Sequence, residues 1–248
     1  PYELNYEPDE EEAGRDKMDL LNNMWRSFCI NDTYEPGSIF KMVTATAALE
    51  TKVVSLDDTF TCQGATVVSD RRIRCHKTTG HGTLDFTHTV YNSCNPALVE
   101  WGRRVGVDNM YLYMGKLGLL SKTGIDLSGE AGTIIHKKEN VGAVELATMS
   151  FGQSFQITPV QMLRATSAII NGGKLVTPHF GMYTSTSDGS VVNEFAYSST
   201  EAAIELDTSE KMKTILEGVV SEGGGTKAYI EGYSIGGKTA TSQKLPRG

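Results

Sequence analysis

Ser38 and Lys41 stand three residues apart in the segment Gly37-Ser38-Ile39-Phe40-Lys41. A helix puts positions three apart on one face, so the two side chains can meet. A serine hydroxyl is a poor nucleophile near neutral pH unless a base adjoins it. A lysine amine can be that base when burial and crowding lower its pKa. Pro36 and Gly37 set Ser38 in the first helical turn, where the helix dipole favours developing negative charge. Ser93-Cys94-Asn95, before Pro96, offers a hydroxyl to relay a proton and an amide to hold a substrate group. Lys238-Thr239-Ala240-Thr241, after Gly236-Gly237, sets an amine near hydroxyls, which suits a substrate carboxylate. In an ideal strand Lys238 and Ala240 would face one side, and Thr239 and Thr241 the other. Each segment alone has a plainer reading: chance spacing, a helix terminus, an edge strand guarded by a lysine. Their order and spacing carry more weight. Ser-x-x-Lys is followed by Ser-x-Asn about 50 residues on and by Lys-Thr-x about 145 further.

A second cluster lies just ahead of Ser93. Cys62, Asp70, Cys75, His76 and His81 are close in sequence. A Cys62–Cys75 disulfide would suit an extracytoplasmic domain. Alternatively, Cys62, Cys75 and His81 with a carboxylate such as Asp70 would bind a structural zinc tetrahedrally, bracing the cleft. Free thiols are the third reading. Cys94 is expected to point into the core and Cys29 to be a small buried residue. His88, His136 and His179 show no partner pattern.

The elements that must position these groups follow from periodicity and punctuation. Helices are expected over Lys17–Phe28, Gly37–Leu49, Asp85–Val105 with a break near Asn95-Pro96, Asp108–Leu117, Thr158–Asn171 and Thr208–Val220. Thr158-Pro159 supplies a cap and a first-turn proline, and Gly172-Gly173 a stop. Residues 60–83 read as short strands and loops, and 120–142 as irregular. Residues 174–198 read as strands around Ser187-Asp188-Gly189, and Tyr233–Ser242 as a further strand. Helices come first and strands mainly in the second half. The expectation is α+β, a helical lobe packed on an antiparallel sheet.

The three segments stand in the order seen in penicillin-recognising serine enzymes, and a closely similar set marks class A β-lactamases and penicillin-binding proteins. Tyr34-Glu35-Pro36-Gly37-Ser38-Ile39-Phe40-Lys41 resembles the active-site segment of class B penicillin-binding proteins, where threonine is usual at Ile39. Asn92-Ser93-Cys94-Asn95-Pro96 resembles the same group, especially Gram-positive elongation and sporulation transpeptidases. Gly124-Ile125-Asp126-Leu127-Ser128-Gly129-Glu130, Ser150-Phe151-Gly152-Gln153, Ile157-Thr158-Pro159-Val160-Gln161, and Val219-Val220 with the following glycine-rich turn and Thr226-Lys227-Ala228 are similar too. The resemblance runs from about residue 30 onward.

That resemblance implies a transpeptidase fold over residues 1–248, truncated at both ends and with an incomplete sheet. It implies that Ser38 attacks the D-Ala–D-Ala carbonyl of a peptidoglycan stem peptide and forms an acyl-enzyme. Lys41 would accept its proton, Ser93 relay a proton to the leaving amine, and Asn95 hold Lys41 and the substrate amide. Lys238, Thr239 and Thr241 would bind the terminal carboxylate, and the backbone N–H groups of Ser38 and Thr241 would form the oxyanion hole. β-Lactams would acylate the same serine. No cofactor is required for that chemistry. The implied partners are stem peptides, β-lactams and a lipid-linked glycan polymerase, on the extracytoplasmic face of a bacterial membrane. A serine β-lactamase and a β-lactam sensor share the first step. The lactamase needs a deacylating base; no Glu stands in a recognisable loop motif for that job, which leaves only Glu130 and Glu145 to consider. Ala240 stands where the family usually has glycine, which allows close approach of a ligand to backbone.

Composition narrows the alternatives. The 248 residues suffice for a sizeable core, with 39% hydrophobic and 21% charged residues. A net charge of −7 argues against a nucleic-acid binder. The run Asp9, Glu10, Glu11, Glu12 reads as a solvated segment. No stretch of roughly 18 apolar residues occurs to span a membrane, and no signal peptide opens the chain.

Overall fold

The computed structural model describes residues 13–200 and 202–241, together with Tyr6, Glu7, Asp9 and Glu10. Glu11 and Glu12 of the acidic run, and Ser242 at the end of the last expected strand, lie outside the described residues. Two short helices open the chain, α1 (Lys17–Trp25) and α2 (Phe28–Asn31). A 3₁₀ turn over Gly37–Phe40 then runs directly into α3 (Lys41–Glu50). Four short strands follow: β1 (Thr59–Cys62), β2 (Ala65–Val68), β3 (Arg71–Arg74) and β4 (Gly82–Asp85). Next come α4 (Phe86–Tyr91), α5 (Asn95–Lys116), α6 (Ala143–Met149) and α7 (Pro159–Ile170). Strands β5 (Leu175–Val176), β6 (Tyr183–Ser185), β7 (Val191–Glu194) and β8 (Ser199–Thr200) precede α8 (Leu206–Ser221).

The class is α+β as expected, but the sheet is divided. Antiparallel pairs β1–β4, β2–β3, β5–β8 and β6–β7 form four two-stranded units, two of them in the first half. No strand forms over residues 233–241. That segment's backbone hydrogen bond to another element is Gly237 N–H to the Leu216 carbonyl, on α8. A strand needs a ladder partner, and among the described residues none lies beside it. The helices α1, α6 and α2 also depart from expectation: the first ends at Trp25 rather than Phe28, and α6 was hidden in a seven-residue stretch too short to show a period.

The core sits between α3, α5, α7 and α8. Eight of the ten α3 residues would be buried in any helix so apolar, and here Lys41 is buried with them. Phe40 packs edge-on against Phe155 at 4.7 Å between centroids. Trp101 of α5 is enclosed and donates its indole N–H to Thr89 Oγ1 at 3.0 Å. Gly106, at φ 77, breaks the helical path of α5, matching the two helices expected there. Thr158 and Gln161 form a reciprocal cap at the start of α7. Buried Gln161 also donates to the Ser121 carbonyl and Thr133 Oγ1, tying α7 to the irregular 120–142 segment. No helix among the described residues is long and apolar enough to cross a membrane.

The turn carrying Ser38 is held from behind. Gly37 N–H donates to the Gly152 carbonyl at 2.8 Å, Ser154 N–H to Glu35 Oε1 at 2.9 Å, and Tyr34 pairs with Ile157. Gly152 has φ +85, and a Cβ there would meet the Gly37 carbonyl oxygen at 2.0 Å. Only glycine permits this close approach, which explains why the Ser150–Gln153 segment belongs to the site although it reacts with nothing.

Candidate active site

Three distant segments converge on one hydroxyl. Lys41 Nζ donates to the Ser93 carbonyl at 2.7 Å, to Ser93 Oγ at 3.0 Å and to Asn95 Oδ1 at 2.6 Å. Lys238 Nζ reaches the same Ser93 Oγ at 2.8 Å, and also the Thr239 carbonyl at 3.0 Å. Asn95 Nδ2 donates to the Arg74 carbonyl at 3.0 Å, which fixes its amide with the oxygen towards Lys41. The fold that delivers these groups is strained at one point. Ser93 has φ +48, a conformation that costs an L residue roughly 1–2 kcal/mol. It lies in the tight turn between α4 and α5, and the turn aims its side chain at both amines.

Lys41 has no solvent exposure, and burial, then the neighbouring Lys238, pull its pKa down to about 7. Burial also lowers Lys238, to about 8. Both amines reach Ser93 Oγ, at 3.0 and 2.8 Å, and two cations no more than about 6 Å apart repel by roughly 3 kcal/mol or more at an effective dielectric of about 20, so losing one proton is favoured. The hydrogen bonds say where the lone pair then points. The Ser93 carbonyl and Asn95 Oδ1 can only accept, so a neutral Lys41 amine gives them its two N–H groups. Its lone pair is left facing the Ser93 hydroxyl. That hydroxyl can donate to Lys41 while accepting from Lys238, a two-bond proton path.

Ser38 lies half-buried at the mouth of this array, lining a cleft of 790 Å³ with Asn95, Gln153, Ser154 and Thr241. A second cleft of 590 Å³ shares Ser38, Arg74, Asn95 and Thr241 and adds Ser93, Thr239 and Ala240. The bonds of Lys41 run to Ser93 and Asn95 rather than to Ser38, so the expected Ser38–Lys41 contact is replaced by a shared neighbourhood. The missing ladder also changes the last segment: Thr239, Ala240 and Thr241 line one cleft together, and Lys238 folds back to Ser93. The division into two faces that an ideal strand requires is therefore not observed. Glu130 is outside both clefts. Buried, it clamps the Thr123 and Gly124 backbone and the Thr123 hydroxyl. Glu145 lines the first cleft and accepts from Gly142 N–H.

The cysteine cluster assembles with one change of member. Cys62, Cys75, His81 and Cys94 place their ligand atoms within 4.8 Å of one another, and the three cysteines are buried. Asp70 is not among them; it is exposed, in the turn between β2 and β3. Cys94 takes its place because the Ser93 turn directs the Cys94 side chain inward. Cys29 is exposed rather than buried, and all four cysteines are free, so Cys62 and Cys75 form no disulfide. Cys75 and Cys94 share a hydrogen bond that pulls the Cys75 thiol down to about 4 and pushes Cys94 up, with burial raising it further. Three thiols and an imidazole at this separation fit a tetrahedral zinc in donor type and in size. Sequence reasoning also missed Arg71, Arg72, Arg74 and His136 on the first cleft.

A half-buried serine sharing a neighbourhood with a buried lysine amine, on a helical lobe with small antiparallel sheets, is an arrangement of the kind that suits serine acyl transfer. The chain matches the model of the penicillin-binding protein transpeptidase domain over residues 3–248, and it belongs to that family. Stage V sporulation protein D of Bacillus subtilis (strain 168) is 42% identical over 225 residues, 90% of this chain and 35% of that protein. The chain thus spans about a third of the length of that curated relative. The crystal structure of the D,D-transpeptidase domain of a peptidoglycan glycosyltransferase from Eggerthella lenta shares the fold. Its TM-score is 0.84 over 92% of this chain and 60% of that chain, at 22% identity. Penicillin-binding protein 3 from Mycobacterium tuberculosis, complexed with aztreonam, gives a TM-score of 0.80 at 27% identity, over 88% of this chain and 50% of that one.

Replacing Lys238 with alanine removes a cation that opposes protonation of Lys41 and admits water to its side of the site. Lys41 then keeps its proton to higher pH. The pH midpoint for covalent labelling of Ser38 by an acylating probe is expected to rise above that of the unaltered protein. An unchanged or lower midpoint contradicts the coupling.

Proposed function

We propose that this chain is the catalytic domain of a serine peptidoglycan D,D-transpeptidase. The observation that carries the reading is the convergence of Lys41 and Lys238 on the Ser93 hydroxyl, with Asn95 holding Lys41, in a cleft that Ser38 also lines. Ser38 Oγ attacks the carbonyl of the penultimate D-Ala of a stem peptide. Its proton passes, by way of the Ser93 hydroxyl that faces the amine's lone pair, to Lys41, neutral in a substantial fraction near pH 7. The oxyanion is held by the backbone N–H groups of Ser38 and Thr241, donors of a kind each worth ~10²–10³ in rate. The C–N bond breaks, and Ser93 hands a proton from the lysine pair to the leaving amine. Lys238, Thr239 and Thr241 bind the terminal carboxylate of the departing residue. An amine of a second peptide then attacks the acyl carbonyl and gives a proton to the lysine pair; as the ester C–O bond to Ser38 breaks, that proton passes to Ser38 Oγ, restoring its hydroxyl and the neutral Lys41.

A β-lactam follows the same first step and leaves a ring-opened acyl on Ser38. The aztreonam complex of the Mycobacterium tuberculosis relative supports this. Against a β-lactamase stands the engagement of both glutamates: Glu130 clamps Thr123 and Gly124 outside the clefts, and Glu145, on the cleft wall, accepts from Gly142 N–H. We assign this work to the extracytoplasmic face of a bacterial membrane, with a lipid-linked glycan polymerase as partner, a reading that the likeness to a sporulation protein supports.

The same reading assigns a structural zinc to Cys62, Cys75, His81 and Cys94. Four protein ligands close the coordination sphere, so the metal would brace β1, the end of β3 and the Ser93 turn, and no chemical step runs through it.

Intact-mass spectrometry after incubation with benzylpenicillin is expected to show a stable adduct of one drug mass, absent in Ser38→Ala. Rapid destruction of the drug without an adduct would point to the β-lactamase instead. For the metal, protein purified without chelator is expected to hold about one zinc per chain. Stripping it is expected to lower the melting midpoint by on the order of 10 °C. Absence of stoichiometric zinc contradicts the assignment.

A further inference from the structure

The first cleft is basic in a way that the acyl-transfer chemistry does not require. Arg71, Arg72 and Arg74 line it together with His136, and Glu145 is the one carboxylate on its wall among the described residues. Glu145 is already engaged with Gly142 N–H. No carboxylate pairs with any of the three arginines among the described residues, although the chain carries a net charge of −7. Three unpaired guanidinium groups on one wall of an otherwise acidic protein would repel one another at some cost in stability, and that cost is offset when an anion binds between them.

Their mounting is rigid. Strand β3 pairs with β2 residue for residue, Arg71 opposite Val68 and Arg74 opposite Ala65. Ile73 anchors the strand in a small core with Val99, Ala147 and Phe151. The Arg74 carbonyl accepts from Asn95 Nδ2, so the strand is bonded directly to the reacting array. The distance from basic wall to Ser38 is therefore set by the hairpin and not by a loop. Arg74 also borders the second cleft, the one containing Lys238's neighbours Thr239 and Thr241. The two clefts share Ser38, Arg74, Asn95 and Thr241, so a peptide whose terminal carboxylate sits at Thr239 and Thr241 can lay its remaining residues along the first cleft.

We propose that Arg71, Arg72 and Arg74 form an anion subsite that selects stem peptides carrying free, un-amidated carboxylates at non-terminal positions. The inference rests on the transpeptidase reading and specifies its substrate class. Arginine forks match carboxylate oxygens in pairs, and a carboxamide, which presents one acceptor and an N–H₂ face, cannot satisfy them and leaves the wall uncompensated.

The test uses the full-length protein and two synthetic pentapeptides ending in D-Ala-D-Ala. They are identical except that the internal carboxylates of one are converted to carboxamides. Transfer to an amine acceptor is followed by mass spectrometry. The unaltered protein is expected to favour the free acid by about tenfold or more in kcat/KM. The Arg71→Gln, Arg72→Gln double variant is expected to bring the ratio close to one by losing rate on the acid, with turnover of the amide certifying its fold. Arg72→Glu is expected to invert the ratio, and Arg72→Lys to retain part of it. Equal rates on the two peptides in the unaltered protein overturn the subsite. So does a ratio that survives the double variant, or an equal loss on both peptides, which would mean that the arginines read a different anion. If benzylpenicillin fails to acylate Ser38, the underlying transpeptidase reading fails. If it acylates normally and no acid preference appears, the subsite alone fails.

Discussion

Burying the amine of Lys41 is the constraint on which the rest of the site depends. An isolated ammonium inside a protein is very costly, and the usual response is to neutralise it or surround it with acceptors. This fold does both. Ser93 and Asn95 supply three acceptors, one for each N–H of the charged form, while burial and Lys238 push the group towards losing a proton. The arrangement costs stability. The folded value near 7 lies below the free-lysine value of about 10.4, so the unfolded chain holds more protons in between. The penalty is thus full below about pH 7 and fades as pH rises towards 10. A base ready near neutral pH is obtained in exchange.

From that constraint follow the strained turn at Ser93, the orientation of Asn95 and the dependence of both on the β2–β3 hairpin. Residues 93 to 95 alternate function with support: Ser93 and Asn95 face the amines, and Cys94 between them faces the cysteine cluster. On the other side, Arg74 holds Asn95 through its carbonyl while Cys75 enters the same cluster. One short path therefore links the basic wall, the proton path and the candidate metal. Anything that loosens the cluster reaches the catalytic amide through two residues.

The sequence announced the reacting groups because their chemistry demands local spacing. Ser38 and Lys41 obey helical periodicity, and Ser93 and Asn95 bracket a turn whose proline marks the start of α5. The reciprocal cap of Thr158 and Gln161 was legible for the same reason. What depends on space rather than spacing was not. Asp70 is nearer than Cys94 to Cys62 and Cys75 in sequence, yet a hairpin turn carries it outward and the Ser93 turn carries Cys94 inward. The strand expected over 233–242 lacked its ladder partner, and so the hydroxyls expected on one face and the lysine on the other came together. Arg71, Arg72 and Arg74 fall in a stretch legible only as short strands and loops, and it is the bond from Asn95 to the Arg74 carbonyl that ties β3 to the site. No local pattern signals a cleft assembled from residues some 170 positions apart, such as Arg71 and Thr241.

The most direct measurement is titration of the Lys41 ε-amine by NMR in protein carrying isotope-labelled lysine, with the resonance assigned by its loss in Lys41→Arg. The expected result is a titration centred near pH 7, several units below the free-lysine value of about 10.4. A Lys41 resonance that stays protonated to pH 10 would contradict the poised base, and with it the proton path through Ser93.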